Sequence, residues 1–135
     1  MNWVIVKALN KHEDLAIRYD NSNFYITKVW LDEELRFSSN MLSFAIKDVE
    51  LLLNKIEDVM LKRTNKIYAY NRMRKQDIHL KLIAYNSGFK LRDTLKLELY
   101  DYIGVNESTY SSITLSKEGA RNLYRTLLAI KRLAY

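Results

Sequence analysis

Basic and aromatic residues are interleaved in the second half of the chain, between Lys66 and Tyr102. This combination could bind single-stranded nucleic acid, because cations neutralise phosphates and flat rings stack on unpaired bases. Each stacked base contributes about 1–3 kcal/mol by alanine substitution. Duplex binding would need the cations but has little use for the rings. The candidate binding residues are Tyr68, Tyr70, Arg72, Arg74, Lys81, Tyr85, Lys90, Arg92, Lys96 and Tyr100.

The distribution of charge favours a polyanionic partner. Residues 1–64 hold nine Lys and Arg against ten Asp and Glu, whereas residues 65–135 hold thirteen against six. Eight of the ten tyrosines also lie in the second half. Two plainer explanations stay open: tyrosine favours strands and lysine deters edge pairing, and a net charge of +6 is ordinary for solubility.

No pattern in the chain indicates catalysis. The sequence has no GxSxG motif, no glycine-rich phosphate loop, no HExxH motif and no cysteine. His12 and His79 lack partners at ligand spacing, which is typical of turn or surface histidines. We therefore predict a binding protein without enzymatic activity, cofactor or metal. Asp32, Glu33 and Glu34 form the densest acidic cluster; it is typical of a solvated turn, and a metal-dependent nuclease is the remote alternative.

The elements that would position these residues follow from hydrophobic periodicity. Alternating segments predict strands in each half, and apolar residues at helical spacing from Val49 to Met60 and from Ala120 to Leu133 predict one helix in each half. Ser116 occupies the N-cap position of the second helix. The predicted strands are 3–8, 15–19, 24–31 and about 34–44 in the first half, and 66–70, 77–85, 90–102 and 111–115 in the second.

The two halves match each other in order and in detail. Residues 14–19 (DLAIRY) match 77–82 (DIHLKL), and residues 42–45 (LSFA) match 113–116 (ITLS). The offset grows from 63 to 71 positions, which a longer loop around 103–110 and a longer strand could absorb. Coincidental similarity of two sheet-and-helix stretches is the alternative to a duplication.

These patterns predict an α+β fold: a single domain, 1–135, of two β-β-β-β-α units, 1–64 and 65–135. Each unit would form an antiparallel sheet that a helix covers on one face, so the other face stays free.

The sequence also limits where we expect the protein to act. No run of eighteen apolar residues is present, and Met1 to Lys7 carry neither a basic leader nor a long apolar stretch. We therefore expect a soluble protein without a membrane partner. The absence of cysteine fits a reducing compartment, so we expect a cytoplasmic location, or the host-cell interior if the protein is viral.

A family resemblance supports the binding interpretation. Residues 112–118 (SITLSKE), preceded by antiparallel strands and followed by an amphipathic helix, resemble the last strand and helix of the positive cofactor four family. The tandem arrangement is similar to that of the Whirly proteins of the same group. The resemblance implies binding of single-stranded DNA, or in some members guide RNA, across exposed sheet faces by dimers or tetramers.

We therefore expect a protein that binds single-stranded DNA or RNA, with DNA as the favoured assignment, without strict sequence preference, as a homodimer or higher homo-oligomer. The alternative is a protein-interaction module of viral or mobile-element type. In that case Trp3, Trp30 and the tyrosines would anchor a host protein, as interface aromatics commonly do.

Overall fold

A computed structural model describes residues 3–31, 35–38, 40–68, 75–87, 90–102 and 108–134, without the side chains of residues 35, 84–87, 90–92 and 134. The fold is α+β, as predicted, with two antiparallel sheets and two α-helices. No helix among these residues has the length and apolar character needed to cross a membrane.

The first sheet contains five strands, one more than the sequence predicts. They are β1 (Val4–Lys7), β2 (Glu13–Tyr19), β3 (Asn23–Leu31), β4 (Leu35–Phe37) and β5 (Leu42–Ala45). The single strand predicted over residues 34–44 is wrong, because β4 and β5 are separate strands that each pair with β3.

The buried side chain of Asn40 explains this break. Its Nδ2 lies 2.9 Å from Thr109 Oγ1 and 3.3 Å from the carbonyl oxygen of Leu99, and donates to both. The Asn40 side chain therefore bonds with the second unit, while its backbone carbonyl still accepts a hydrogen bond of 3.0 Å from Thr27 Oγ1 of β3.

The second unit follows the predicted order. The first unit ends with a 3-10 turn (Ile46–Asp48) and helix α1 (Val49–Lys62). The second unit contains β6 (Lys66–Tyr68), β7 (Gln76–Ser87), β8 (Lys90–Tyr102), β9 (Ser108–Ser116) and helix α2 (Lys117–Ala134). The strands pair in the order β6-β7-β8-β9. The predicted N-cap is confirmed, because Ser116 Oγ accepts a hydrogen bond of 3.1 Å from the backbone N–H of Gly119.

One hydrophobic core joins the two sheets and the two helices. The alternating apolar residues of both sheets pack with Leu52 and Ile56 of α1 and with Leu123 and Leu127 of α2. Helix α1 lies closest to β6 and β7 of the second sheet, whereas α2 approaches β1, β8 and β9. Both helices therefore pack against the second sheet, and α2 also packs against β1 of the first sheet.

The registers of the two sheets are consistent with a duplicated unit. Tyr19 pairs with Phe24, which pairs with Phe44; Leu82, Leu95 and Leu115 pair in the same way. These equivalents lie 63, 71 and 71 positions apart, so the offset changes within the hairpin of β7 and β8. Four residues separate Tyr19 from Phe24 and twelve separate Leu82 from Leu95. The longer strands therefore absorb the whole drift, and the predicted contribution of a longer loop around 103–110 is wrong.

Candidate nucleic-acid interface

The second sheet presents one face to the core and the other away from it. Directly opposed residues of antiparallel strands share a face, and the register places Lys81 opposite Lys96 and His79 opposite Glu98. Tyr100 lies between Asp77 and Tyr110 in the next row. The alternation predicted for β7 and β8 is therefore confirmed for their described side chains. We call the surface formed by His79, Lys81, Lys96, Tyr100 and Tyr110 the tyrosine face.

Four rings form a continuous aromatic cluster along this face. The ring centroid of Tyr100 lies 4.5 Å from that of His79, 5.0 Å from that of Tyr110 and 6.0 Å from that of Tyr102. The Tyr100 and Tyr102 rings are nearly parallel, with an interplanar angle of 10°. Tyr110 is 49% exposed. The cluster therefore offers solvent a flat, half-exposed ring whose position other rings support.

A buried carboxylate accepts hydrogen bonds from two of the tyrosines. Glu98 Oε2 accepts hydrogen bonds from the hydroxyls of Tyr110 at 2.9 Å and Tyr100 at 3.5 Å. Glu98 Oε1 lies 2.5 Å from Lys81 Nζ, and this pairing is the main cause that holds the pKa of Glu98 below its usual value and raises that of Lys81. Burial raises the pKa of the Tyr100 hydroxyl, which stays protonated at neutral pH and can donate. The charge of Lys81 is therefore largely neutralised by Glu98.

Two more charged residues border the cluster near Tyr102. Lys75 Nζ lies 5.0 Å from the centroid of the Tyr102 ring, within range of a cation–π contact. Asp77 Oδ2 lies 3.7 Å from His79 Nε2. Burial, followed by the Asp77 charge, raises the pKa of the Tyr102 hydroxyl. The described part of this surface thus carries lysines 75, 81 and 96 against two carboxylates, a small positive excess.

Three of the predicted binding residues, Lys81, Lys96 and Tyr100, come together on this face. Tyr68 does not, because it is fully buried, with its ring 4.9 Å from that of Phe44 and its hydroxyl donating to the carbonyl oxygen of Asp48 at 3.2 Å. Its assignment as a binding residue is therefore corrected to a core role.

The other predicted residues are described only in part or not at all. Tyr85 pairs with Arg92 in the register of β7 and β8, and Lys90 pairs with Ser87, but their side chains lie outside the described residues. The predicted residues Tyr70, Arg72 and Arg74 also lie outside them.

Several residues of the surface escape the sequence prediction. Tyr110 was missed because the last strand was predicted to begin at Ser111, whereas β9 begins at Ser108. The alternation of Tyr110, Ser112 and Thr114 against buried Ile113 and Leu115 is the signal that could have found it. The roles of Glu98 and His79 depend on cross-strand pairing, which the sequence does not display.

The equivalent surface of the first sheet is built differently. The guanidinium of Arg18 lies 4.9 Å from the ring centroids of both Trp3 and Tyr25. The Trp3 ring in turn lies 5.0 Å from that of Phe37. The cation and the rings contact each other there, so this surface has less to offer a nucleic acid than the tyrosine face does.

No group of three or more His, Cys, Asp or Glu residues in the described ranges could hold a metal ion. The acidic cluster of Asp32, Glu33 and Glu34 lies outside those ranges.

The sequence matches no protein-family model, and a search of curated proteins finds no match. The resemblance to the positive cofactor four and Whirly group therefore stays a prediction.

Proposed function

We propose that this protein binds single-stranded nucleic acid, DNA or RNA, on the tyrosine face, and that it acts without catalysing a reaction. The observation that carries the proposal is the half-exposed Tyr110 ring, supported by Tyr100 and bordered by lysines. Exposed rings next to cations are the two components that single-strand binding requires.

In this proposal the aromatic rings bind bases and the lysines bind phosphates. An unpaired base would stack on the Tyr110 ring, because this ring is the most exposed of the cluster and is oriented by its hydrogen bond to Glu98. Lys96 and Lys75 would contact phosphates, since Lys81 is already paired with Glu98. Stacking and phosphate contacts are available to every base, so strict sequence preference is not expected.

Fluorescence anisotropy with labelled single-stranded DNA, single-stranded RNA and duplex of equal length tests the proposal. The wild type should prefer single strands, and its affinity should fall as salt rises. Tyr110→Ala removes the ring and should weaken binding roughly 5- to 150-fold, the equivalent of about 1–3 kcal/mol. Tyr110→Phe keeps the ring and loses only the bond to Glu98 that orients it, so it should weaken binding much less than Tyr110→Ala does.

A matched pair of charge variants separates a local phosphate contact from net charge. Lys96→Gln and Arg125→Gln each remove one positive charge, but Arg125 is an exposed residue of α2, on the opposite side of the second sheet. Only Lys96→Gln should weaken binding and reduce the salt slope, by about 0.7 unit for the loss of one contact to a single strand. Equal effects of the two variants, or a salt-independent binding curve, would contradict the proposal.

A protein-interaction module is the second candidate, and an apolar patch on the first sheet favours it. Ile5 and Phe37 are 40% and 37% exposed on the same face, and the Trp3 ring packs beside Phe37. Such a patch suits a protein partner better than a nucleic acid. Salt-insensitive capture of one protein, with no retention on single-stranded DNA, would favour this candidate over the first.

A further inference from the structure

A groove of about 320 Å³ lies between the two helices, where the second half of α1 meets the first turns of α2. Its apolar lining comes from Ile56, Met60, Leu61, Ala120 and Tyr124. The helices lie on the core side of the second sheet, so the groove is separate from the tyrosine face. Its volume falls at the lower end of the range typical of small-molecule sites, about 300–1,000 Å³.

The walls of the groove differ in exposure in a way that suits a bound apolar chain. Ile56 and Ala120 are each only 2% exposed and form its floor. Leu61 is 78% exposed, the largest exposure among the large apolar side chains in the described part of the protein. Met60 is partly buried, and its unbranched thioether can adapt to ligands of different shape. An apolar ligand would remove Leu61 from water while resting on a floor that is already formed.

The charges around the groove favour an anionic group on that ligand. Lys117 and Arg121 line it from the first turn and a half of α2, where the helix dipole also favours negative charge. Glu57 is the one acid among the described residues that line the groove, and it accepts a hydrogen bond from the Tyr124 hydroxyl, so the two cations outnumber it. Of the other nearby acids, Asp93 is held by both terminal nitrogens of Arg63, and Glu118 lies in the first turn of α2 beside Lys117. Both cations are exposed and lie about one turn apart along α2.

We propose that this groove binds an apolar ligand that carries a single anionic group, such as a medium-chain carboxylate. The chain would lie against Met60 and Leu61 over the floor, and the carboxylate would face Lys117 and Arg121. This site does not depend on the nucleic-acid proposal, because the two surfaces share no residue.

Titration of the ¹⁵N-labelled full chain with octanoate, octan-1-ol and octylammonium tests the site, because these probes share one chain length and differ in head-group charge. Octanoate should produce saturable chemical-shift changes confined to the groove. Octan-1-ol should bind more weakly, and octylammonium most weakly. The proposal is wrong if the octanoate shifts do not saturate by about 10 mM, if they lie outside the groove, or if octylammonium binds as well as octanoate.

Substitutions test which residues contact the carboxylate and which contact the alkyl chain. Arg121→Gln should weaken octanoate about two- to fivefold, as expected for one partly exposed ion pair, and leave octan-1-ol unchanged. Arg125→Gln is the control and should change neither. Leu61→Ser should weaken all three probes, and its folding cost is small because Leu61 is mostly exposed.

The same spectra test a competing occupant. If shifts at the groove residues appear with protein concentration alone, the groove pairs two copies of this chain, and the ligand proposal is overturned. If Arg121→Gln leaves the preference for octanoate over octan-1-ol unchanged, the assigned role of the cations is refuted.

Discussion

Replacing Gly119 by alanine should destabilise the protein, although alanine is the better helix former. Gly119 lies in the first turn of α2, where this helix passes over the end of β1. An added Cβ would lie 2.8 Å from the carbonyl oxygen of Lys7 and 3.2 Å from the Cβ of Leu115. The first distance is shorter than Cβ atoms tolerate, and the atom that it meets belongs to the backbone, which cannot rotate away. The start of α2 must therefore move away from β1.

The magnitude is the difference between two opposing effects. Overpacking of a well-packed site costs about 1–3 kcal/mol. A glycine-to-alanine change within a helix gains about 1 kcal/mol at most. The net loss should therefore be about 1 kcal/mol, with roughly 2 kcal/mol as the upper limit. For a chain of this size, 1 kcal/mol corresponds to a fall in Tm of about 4 °C.

Urea unfolding followed by circular dichroism and tryptophan fluorescence measures the change. Asn54→Ala is the control, because Asn54 is an exposed residue in the interior of α1. It should gain roughly 0.5 kcal/mol through helix propensity alone. If Gly119→Ala raises the free energy of unfolding as Asn54→Ala does, the close contact between α2 and β1 does not exist.

Substitutions at three further positions have defined outcomes. Tyr68→Phe should lower the free energy of unfolding by about 1 kcal/mol, because the partly buried carbonyl of Asp48 loses the Tyr68 hydroxyl as a donor. Tyr68→Ala should cost about 3–5 kcal/mol; urea titration distinguishes the two. The contribution of Glu98 to stability should be complete above its ordinary pKa of 4.5 and lost as the pH falls through its lower folded pKa, so Glu98→Gln should flatten the stability profile below pH 4.5. An unchanged acid limb would refute the pairing with Lys81. Arg63 lies in the left-handed region, at φ 59°, where glycine is favoured. In an Asp93→Ala background, Arg63→Gly should therefore raise the free energy of unfolding by about 1 kcal/mol. In the wild type the gain should be smaller, because the ion pair between Arg63 and Asp93 is lost as well, and a double-mutant cycle measures the difference.

The predictable parts of the fold are the elements in which a single hydrophobic repeat runs over many residues. In β7 and β8, leucine and isoleucine alternate with polar residues over many positions, and only one register puts all of the apolar residues in the core. The faces of Lys81, Lys96 and Tyr100 follow from that alternation alone. The helices follow in the same way from long apolar stripes.

Short strands gave no such guidance. In β6 the alternation puts Ile67 on one face and Lys66 and Tyr68 on the other, but it does not determine which face packs against the core. Hydrophobicity points to Ile67, yet this residue is 52% exposed and Tyr68 is fully buried. The cause is tertiary: Phe44, from the other unit, packs against the Tyr68 ring. No local pattern contains that contact.

The candidate site was predictable only in its composition. Lysine and tyrosine on one face follow from alternation, but the carboxylate that orients the rings does not. Glu98 reaches Lys81 across one strand pair and Tyr110 across another, so its role depends on two registers at once. The division of the first unit at Asn40 was hidden for the same reason, because the partner Thr109 lies 69 positions away.

The shared core also constrains how the two repeats can diverge. Phe44 of the first repeat and Tyr68 of the second form one aromatic pair, and Lys55 of α1 donates to the backbone carbonyl of Ile67 at 2.6 Å. A smaller ring in one repeat would leave a void that only a larger neighbour in the other could fill. The energetic cost of a substitution at either position of this pair therefore depends on the residue at the other.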